Sequence, residues 1–316
     1  MLEWLHNADL AWRRAWDDDV LHEFRRSPAA VVAALGLTLF VFSAVLAPWI
    51  APHRVFDVET LNLADSSLPP AWERGGVHAF LLGTDDQGRD VFSAILFGSR
   101  ISLLVGAAAI ALAMIMGVLL GLLSGYRGGW LDAFIMRVAD TQLSFPAILT
   151  TLLIDGLARA FLPRTLHDEM AIFVVIVAIA LAYWVPFART VRGSTLVERS
   201  KEYVQAARVA GRSPTAIMVQ HILPNVMGPV LVIATIDLAA AILTEATLSF
   251  LGVGLPPTRP SLGTLIRNGN NFLLSGEWWM AVFPGAALVV LVLTINLLGD
   301  WLRDALNPRL RLVDRP

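Results

Sequence analysis

The sequence predicts an all-α membrane protein with six transmembrane helices and cytoplasmic N and C termini. Composition, the recurrence of long apolar runs and the distribution of basic residues carry that prediction. Of 316 residues, 56% are hydrophobic and 16% charged, with a mean hydropathy of +0.64. Soluble domains average about 45–50% apolar and about 25% charged residues. Apolar runs long enough to cross a hydrocarbon core about 30 Å thick occur at 29–50, 101–125, 132–157, 170–190, 226–252 and 280–302. Basic residues accumulate on the cytoplasmic side of membrane proteins. Here they crowd into 1–28 (Arg13, Arg14, Arg25, Arg26), into 191–223 (Arg192, Arg199, Lys201, Arg208, Arg212) and beyond 302 (Arg303, Arg309, Arg311, Arg315). The alternate connections are poorer, which sets the orientation.

Composition also excludes. A net charge of −2 gives no general attraction for nucleic acid. With no cysteine there is no disulfide framework and no cysteine metal site. The six histidines (6, 22, 53, 78, 167, 221) lack metal-ligand spacing.

Taken in order, residues 1–28 form a cytoplasmic amphipathic helix. Leu5, Ala8, Trp12, Trp16 and Val20 recur at three- and four-residue intervals. That face lies either along the membrane surface or on another cytoplasmic protein. Residues 29–50 are the first transmembrane helix, too long for the core of a cleaved signal peptide. The 51–98 segment is extracytoplasmic. Its Asp85, Asp86 and Asp90 precede the second span, where carboxylates favour the start of a helix; a cation site is the alternative, without confirming ligand spacing. Gly106, Gly117, Gly121 and Gly125 in the second span allow another helix to approach closely. Asp140 and Asp155 interrupt the third run and Pro186 the fourth; Arg137 and Asp140, three apart, read as a structural pair.

The stretch 198–225 is polar and lies between two spans. Glu198 to Ala210 has strong helix formers and no breaker. Gly211 then stops the helix, because glycine adopts the left-handed conformation cheaply. Ser213 as N-cap and Pro214 at the first helical position start a second, short helix, which Pro224 ends. Ala206, Ala207, Ala210 and Gly211 leave the corner open to close approach by another surface. A helix-turn-helix reader of DNA fits the local pattern, but the flanking spans argue against it.

Two acids lie in the fifth span. Asp237 sits roughly 17 Å along it at about 1.5 Å per residue, near the midplane. It either lines a hydrated path for an amine or is a polar group satisfied between helices. Glu245 lies roughly 29 Å along, level with Arg100 at the start of the second span. Since an unpaired buried carboxylate is costly, Arg100 and Glu245 are expected to pair and to set an outer gate; the alternative is that each reaches water at the surface.

Residues 202–225, EYVQAARVAGRSPTAIMVQHILPN, resemble the EAA loop of permease subunits of ATP-binding-cassette importers. Gln205, Ala206, Ala207, Gly211, Leu223 and Pro224 fall on the pattern, with Gln205 in place of glutamate and His221 in place of isoleucine. LGTDDQGRDVFSAILFGSRISL, GYRGGWLDAFIMRVAD, LTEATLSFLGVGLP and NLLGDWLRDALNPRL, in that order, are similar to the second (C-type) subunit of the dipeptide, oligopeptide and nickel permease family. Where many relatives have Pro-Ser-Trp-Gly, this chain has Leu262 for the tryptophan.

The resemblance runs from about residue 80 to the C-terminus. It implies a type I importer permease fold over 99–306, a coupling loop at 198–225 and a cytoplasmic tail at 307–316. By the same resemblance Glu202, Gln205, Ala206, Ala207, Arg208, Gly211, Ser213, Pro214, Leu223 and Pro224 meet the ATPase. The implied partners are a second homologous permease subunit, two ATPase subunits and an extracytoplasmic substrate-binding protein, all in a bacterial cytoplasmic membrane.

The energy source is not in this chain. A phosphate-binding loop needs GxxxxGK[ST], and the only lysine, Lys201, lies between Ser200 and Glu202. ATP and Mg are therefore expected on the partner ATPases, with no cofactor, metal or catalytic residue here. Di- or oligopeptides are the expected substrate, with a nickel chelate or another small solute as the alternative. An ion-driven transporter would want inverted internal repeats, and an intramembrane hydrolase a metal or Ser/His constellation; neither is visible in the sequence.

Overall fold

The computed structural model describes residues 22–55, 61–161, 163–256 and 259–305. The expected amphipathic stretch 5–20 and the tail 307–316 lie outside the described residues. Helix α1 (Pro28–Val45) starts where Ser27 caps the Ala30 N–H at 3.3 Å and Pro28 takes the first position. One further turn, Ala47–Ile50, follows it. Helix α2 (Val91–Arg127) is 37 residues long, roughly 55 Å at about 1.5 Å per residue, so it overruns the membrane. Of the three acids before it, only Asp90 caps the helix, accepting from the Ser93 N–H at 2.9 Å and its hydroxyl at 2.6 Å. Asp85 lies in the preceding turn and pairs with Arg89 at 2.6 Å. Among the described residues no group of three or more His, Asp or Glu side chains is placed to hold a metal ion.

The expected third span, 132–157, is two helices: α3 (Gly129–Leu143) and α4 (Ala147–Phe161), bent 97° apart. Pro146 explains the break, because it removes a helix donor and disfavours helical geometry in the residue before it. Helix α5 (Arg164–Glu198) continues through Pro186. After a three-residue break come α6 (Glu202–Val209) and α7 (Pro214–Ile217). A π-helical turn, Met218–Ile222, leads directly into α8 (Leu223–Phe250). Short α9 (Leu262–Asn270) and the final span α10 (Trp279–Ala305) complete the order. Among the described residues five helices are thus long and apolar enough to cross a membrane, or six if the bent pair counts as one span.

Lipid tails are as apolar as leucine, so spans associate through close packing rather than through the hydrophobic effect. The glycines of α2 make that packing. A Cβ on Gly117 would lie 2.4 Å from the Phe187 Cβ, and one on Gly121 2.6 Å from the Ala188 carbonyl oxygen. One on Gly125 would lie 2.7 Å from the Thr195 Cβ. The three form a ridge on which α5 lies. Higher up, Gly106 receives Ile242 of α8. Val105, Ala109, Ile179, Phe187, Val191 and Val226 fill the core around this crossing. A second core joins α8, α9 and α10 through Ile242, Leu262, Trp279 and Leu291.

The described part of 51–98 folds onto one end of this bundle. Thr84 is its hub: its hydroxyl donates to the Asp65 carbonyl at 2.5 Å and accepts from the Leu68 N–H at 2.8 Å, while its carbonyl accepts from the Trp279 indole at 3.0 Å.

Gly117→Ala is expected to destabilise the protein by about 1–3 kcal/mol, the usual cost of overpacking. Gly193→Ala, on α5 with nothing within 4 Å of its added carbon, should be neutral or slightly stabilising. Thermal unfolding of the two variants in detergent checks the contrast.

Candidate functional site

The corner between α6 and α7 is built by local chemistry. Gly211 sits at φ +74°. Its N–H bonds the Arg208 carbonyl at 3.0 Å, and the Arg212 N–H bonds the Ala207 carbonyl at 3.1 Å. These are the two hydrogen bonds of a Schellman stop. Ser213 then accepts from the Ala216 N–H at 3.3 Å, with Pro214 at the first helical position. Glu202 is in the first turn of α6, where its charge favours the helix dipole. Glu202, Gln205, Ala206, Arg208, Gly211, Ser213 and Pro214 are exposed, and Ala207 is half-buried. Val209, 90% exposed, projects beside them.

Two expectations change here. The first helix does not run unbroken from Glu198, because α5 ends there and the chain turns at Arg199–Lys201. Nor does Pro224 end the second helix: it stands at the beginning of α8. Proline cannot donate to the carbonyl four residues back, and the chain accommodates it by widening into the π-turn rather than stopping. Leu223 and Pro224 are thereby the root of a span, not the end of the loop.

The exposed corner is pinned to three spans. Val204, Ile217 and Ile222 are fully buried beneath it. Arg199 donates to the Gly125 carbonyl at 2.9 Å at the end of α2, and the Arg208 guanidinium lies 5.1 Å from the centre of the Tyr126 ring. The Gln205 amide bonds the Arg199 carbonyl at 3.1 Å. Tyr203 donates to Glu198 at the end of α5, and Asn225 at the start of α8 donates to Tyr203 at 3.2 Å. Sequence reasoning missed this set. Only the Glu198–Lys201 pair, three apart and 2.6 Å between charged atoms, has a spacing that signals contact. Nearby, Arg192 grips Asp132 of α3 with two hydrogen bonds at 2.5 and 2.6 Å.

The intramembrane acids divide. Glu245 is 0% exposed and does not pair with Arg100, which is exposed. Its carboxylate accepts from Ser102 at 2.9 Å and Ser249 at 2.7 Å. Ser102 in turn accepts from the Leu262 N–H at 3.2 Å, so Glu245 ties α2, α8 and the entry to α9. The two positions, Arg100 and Ser102, are about 200° apart around a helix of about 3.6 residues per turn, so only one of them can face α8. Asp140 bonds Arg189 of α5, not Arg137. Asp237 stands midway along α8 with a buried Oδ2 that has no hydrogen-bond partner among the described residues. About two turns further along the same face of α8, the Thr244 hydroxyl meets the Tyr183 hydroxyl of α5 at 2.9 Å.

Comparison with known proteins agrees on one family. Residues 117–312 match the family described as binding-protein-dependent transport system inner membrane component, and residues 11–70 match the N-terminal transmembrane domain of oligopeptide transport permease C. A dipeptide transport system permease protein of Haemophilus influenzae is 38% identical over 288 residues, 91% of this chain and 93% of the relative. Its counterpart in Escherichia coli is 42% identical over 291 residues, 92% of each chain. An oligopeptide transport system permease protein of Bacillus subtilis is 36% identical over 94% of this chain and 90% of its own. Among solved structures, an inward-facing methionine ABC transporter shares the fold: TM-score 0.51, 21% identity, 69% of this chain and 95% of that one. The chain belongs to the binding-protein-dependent transport system inner membrane component family and is a multi-pass permease subunit of an ABC importer.

Removing Glu245 leaves two buried hydroxyls, those of Ser102 and Ser249, short of an acceptor. Glu245→Ala is therefore expected to cost about 2–4 kcal/mol through lost hydrogen bonds and a cavity, while Arg100→Gln stays within about 0.5 kcal/mol. Thermal stability in detergent measures both. An additive double variant is expected, because the two side chains are not in contact.

Proposed function

We propose that this chain is the permease subunit of an ATP-driven importer of di- or oligopeptides, and that 198–225 is its cytoplasmic coupling element. The observation that supports this best is mechanical. An exposed corner of small residues, stopped at Gly211 and restarted at Ser213–Pro214, is pinned at its base to the ends of α2, α5 and α8. A push on such a corner reaches three spans at once; a loose loop would absorb it. The small side chains of Ala206, Ala207 and Ala210 let a groove on a separate ATPase subunit come close, with Val209 as the apolar knob and Arg208 and Arg212 as its basic rim.

On this reading ATP and Mg sit on two partner ATPases, since the sequence has no phosphate-binding loop. A second permease subunit completes the path, and an extracytoplasmic binding protein delivers the substrate. The peptide substrate follows from what the relatives are named for. The proposed organisation places 1–28 in the cytoplasm, 29–50 as first transmembrane helix, 51–98 outside, 99–306 as the transmembrane domain and 307–316 as a cytoplasmic tail. Asp237, midway along α8 with an Oδ2 that has no hydrogen-bond partner among the described residues, is the path-lining candidate for a peptide amine.

Labelling tests the orientation. Ser213→Cys should resist an impermeant thiol reagent in intact cells, and Ser275→Cys, exposed at the opposite end, should react; the chain's lack of cysteine makes the background clean. Coupling is tested at the corner. Gly211→Arg forces a left-handed residue with a long side chain. The variant should insert and assemble, yet lose ATP-driven peptide uptake in proteoliposomes by about tenfold, the scale of an ordinary coupling free energy. Normal uptake by that variant removes the case for this element.

A further inference from the structure

Tyr203, at the beginning of α6, touches both the end of α5 and the π-turn that leads into α8. Its phenol donates its single proton to the Glu198 carboxylate. Glu198 is largely buried at the last position of α5, with Lys201 on its other oxygen at 2.6 Å. On the far side, the Asn225 amide spends one hydrogen on the Tyr203 oxygen at 3.2 Å and the other on the His221 carbonyl at 2.7 Å. That carbonyl belongs to the π-turn created ahead of Pro224. The Tyr203 ring meets the His221 ring edge-on, centroids 6.5 Å apart. The Tyr203 hydroxyl thus both donates, to Glu198, and accepts, from Asn225.

We infer that the Tyr203 hydroxyl is a positioning group for coupling: it clasps the foot of α5 to the π-turn at the foot of α8, so both spans follow α6 together. This rests on the importer reading above and adds a named part to it. The bond between Tyr203 and a charged carboxylate is of the strong kind, and burial together with that carboxylate pushes the phenol up to about 12. The proton therefore stays in place across the physiological range. The π-turn is the compliant part on the other side, since its backbone bonding is already irregular. Without the clasp, movement of α6 would be taken up by that turn and would reach α5 and α8 out of step.

The test uses the intact complex in proteoliposomes: this chain, its second permease, the ATPases and the binding protein. The readouts are peptide taken up per ATP hydrolysed, basal ATPase rate and melting temperature. Tyr203→Phe keeps the ring against His221 and removes only the hydroxyl. It should lower uptake per ATP by about three- to tenfold, within the range by which residues between coupled sites act, with melting temperature and basal ATPase unchanged. Asn225→Ala should give the same loss, and the double variant should be no worse than either single one, because both cut one chain of contacts. If Tyr203→Phe does not assemble, Asn225→Ala decides by the same ratio. An unchanged uptake-to-ATP ratio, additive losses, or losses that track a lower melting temperature would overturn the clasp. A wild-type complex with no ATP-dependent uptake would instead overturn the importer reading itself.

Discussion

The close crossing of α2 and α5 is the contact on which the rest of the molecule depends. Three glycines, one turn apart, bring the backbones to a separation that no side chain allows. In hydrocarbon there is little else to hold two spans together. Once that crossing is set, the C-terminal ends of both helices meet, and Arg199 at the end of α5 reaches the last carbonyls of α2. Those carbonyls have no partner within their own helix. The base of α6 is thus fixed by the same contact that fixes the bundle.

Polar groups then do two different jobs. Around Glu245 they are closed in: two serines, a carboxylate and one backbone N–H satisfy one another and join α2, α8 and α9 without any counter-charge. At the C-terminal ends of α2 and α5 they are open: Asp132–Arg192 and Glu198–Lys201 are partly exposed ion pairs. Closed networks rigidify, whereas partly solvated ion pairs are worth little individually and can be exchanged during movement. A transporter needs both, and they are segregated along the axis.

What was legible in the sequence follows the range of the interaction. Gly211, Ser213 and Pro214 were readable because stop and cap signals act over a few residues. The spans were readable because twenty apolar residues admit few alternatives. The glycines of α2 announced a close neighbour, but not that it was α5. Pro146 was in plain view and still did not break the third run, since a smooth apolar average hides one proline. Glu245 was assigned to Arg100 because charge suggests charge; the true partners, Ser102 and Ser249, are side chains too common to attract notice. Tyr203 and Asn225 are 22 residues apart, and no periodicity connects them.

The elbow between α3 and α4 carries a further consequence. The Gln142 side chain bonds the Leu181 carbonyl and accepts from the Trp184 indole at 2.7 Å, so the elbow is level with the middle of α5, deep within the bilayer. Leu143, Phe145 and Pro146 are nevertheless uncovered. Non-helical backbone at that depth is stable only against protein or a water-filled cavity, never against acyl chains. The elbow therefore works as a compass: the flank on which it opens is one that must be turned away from lipid.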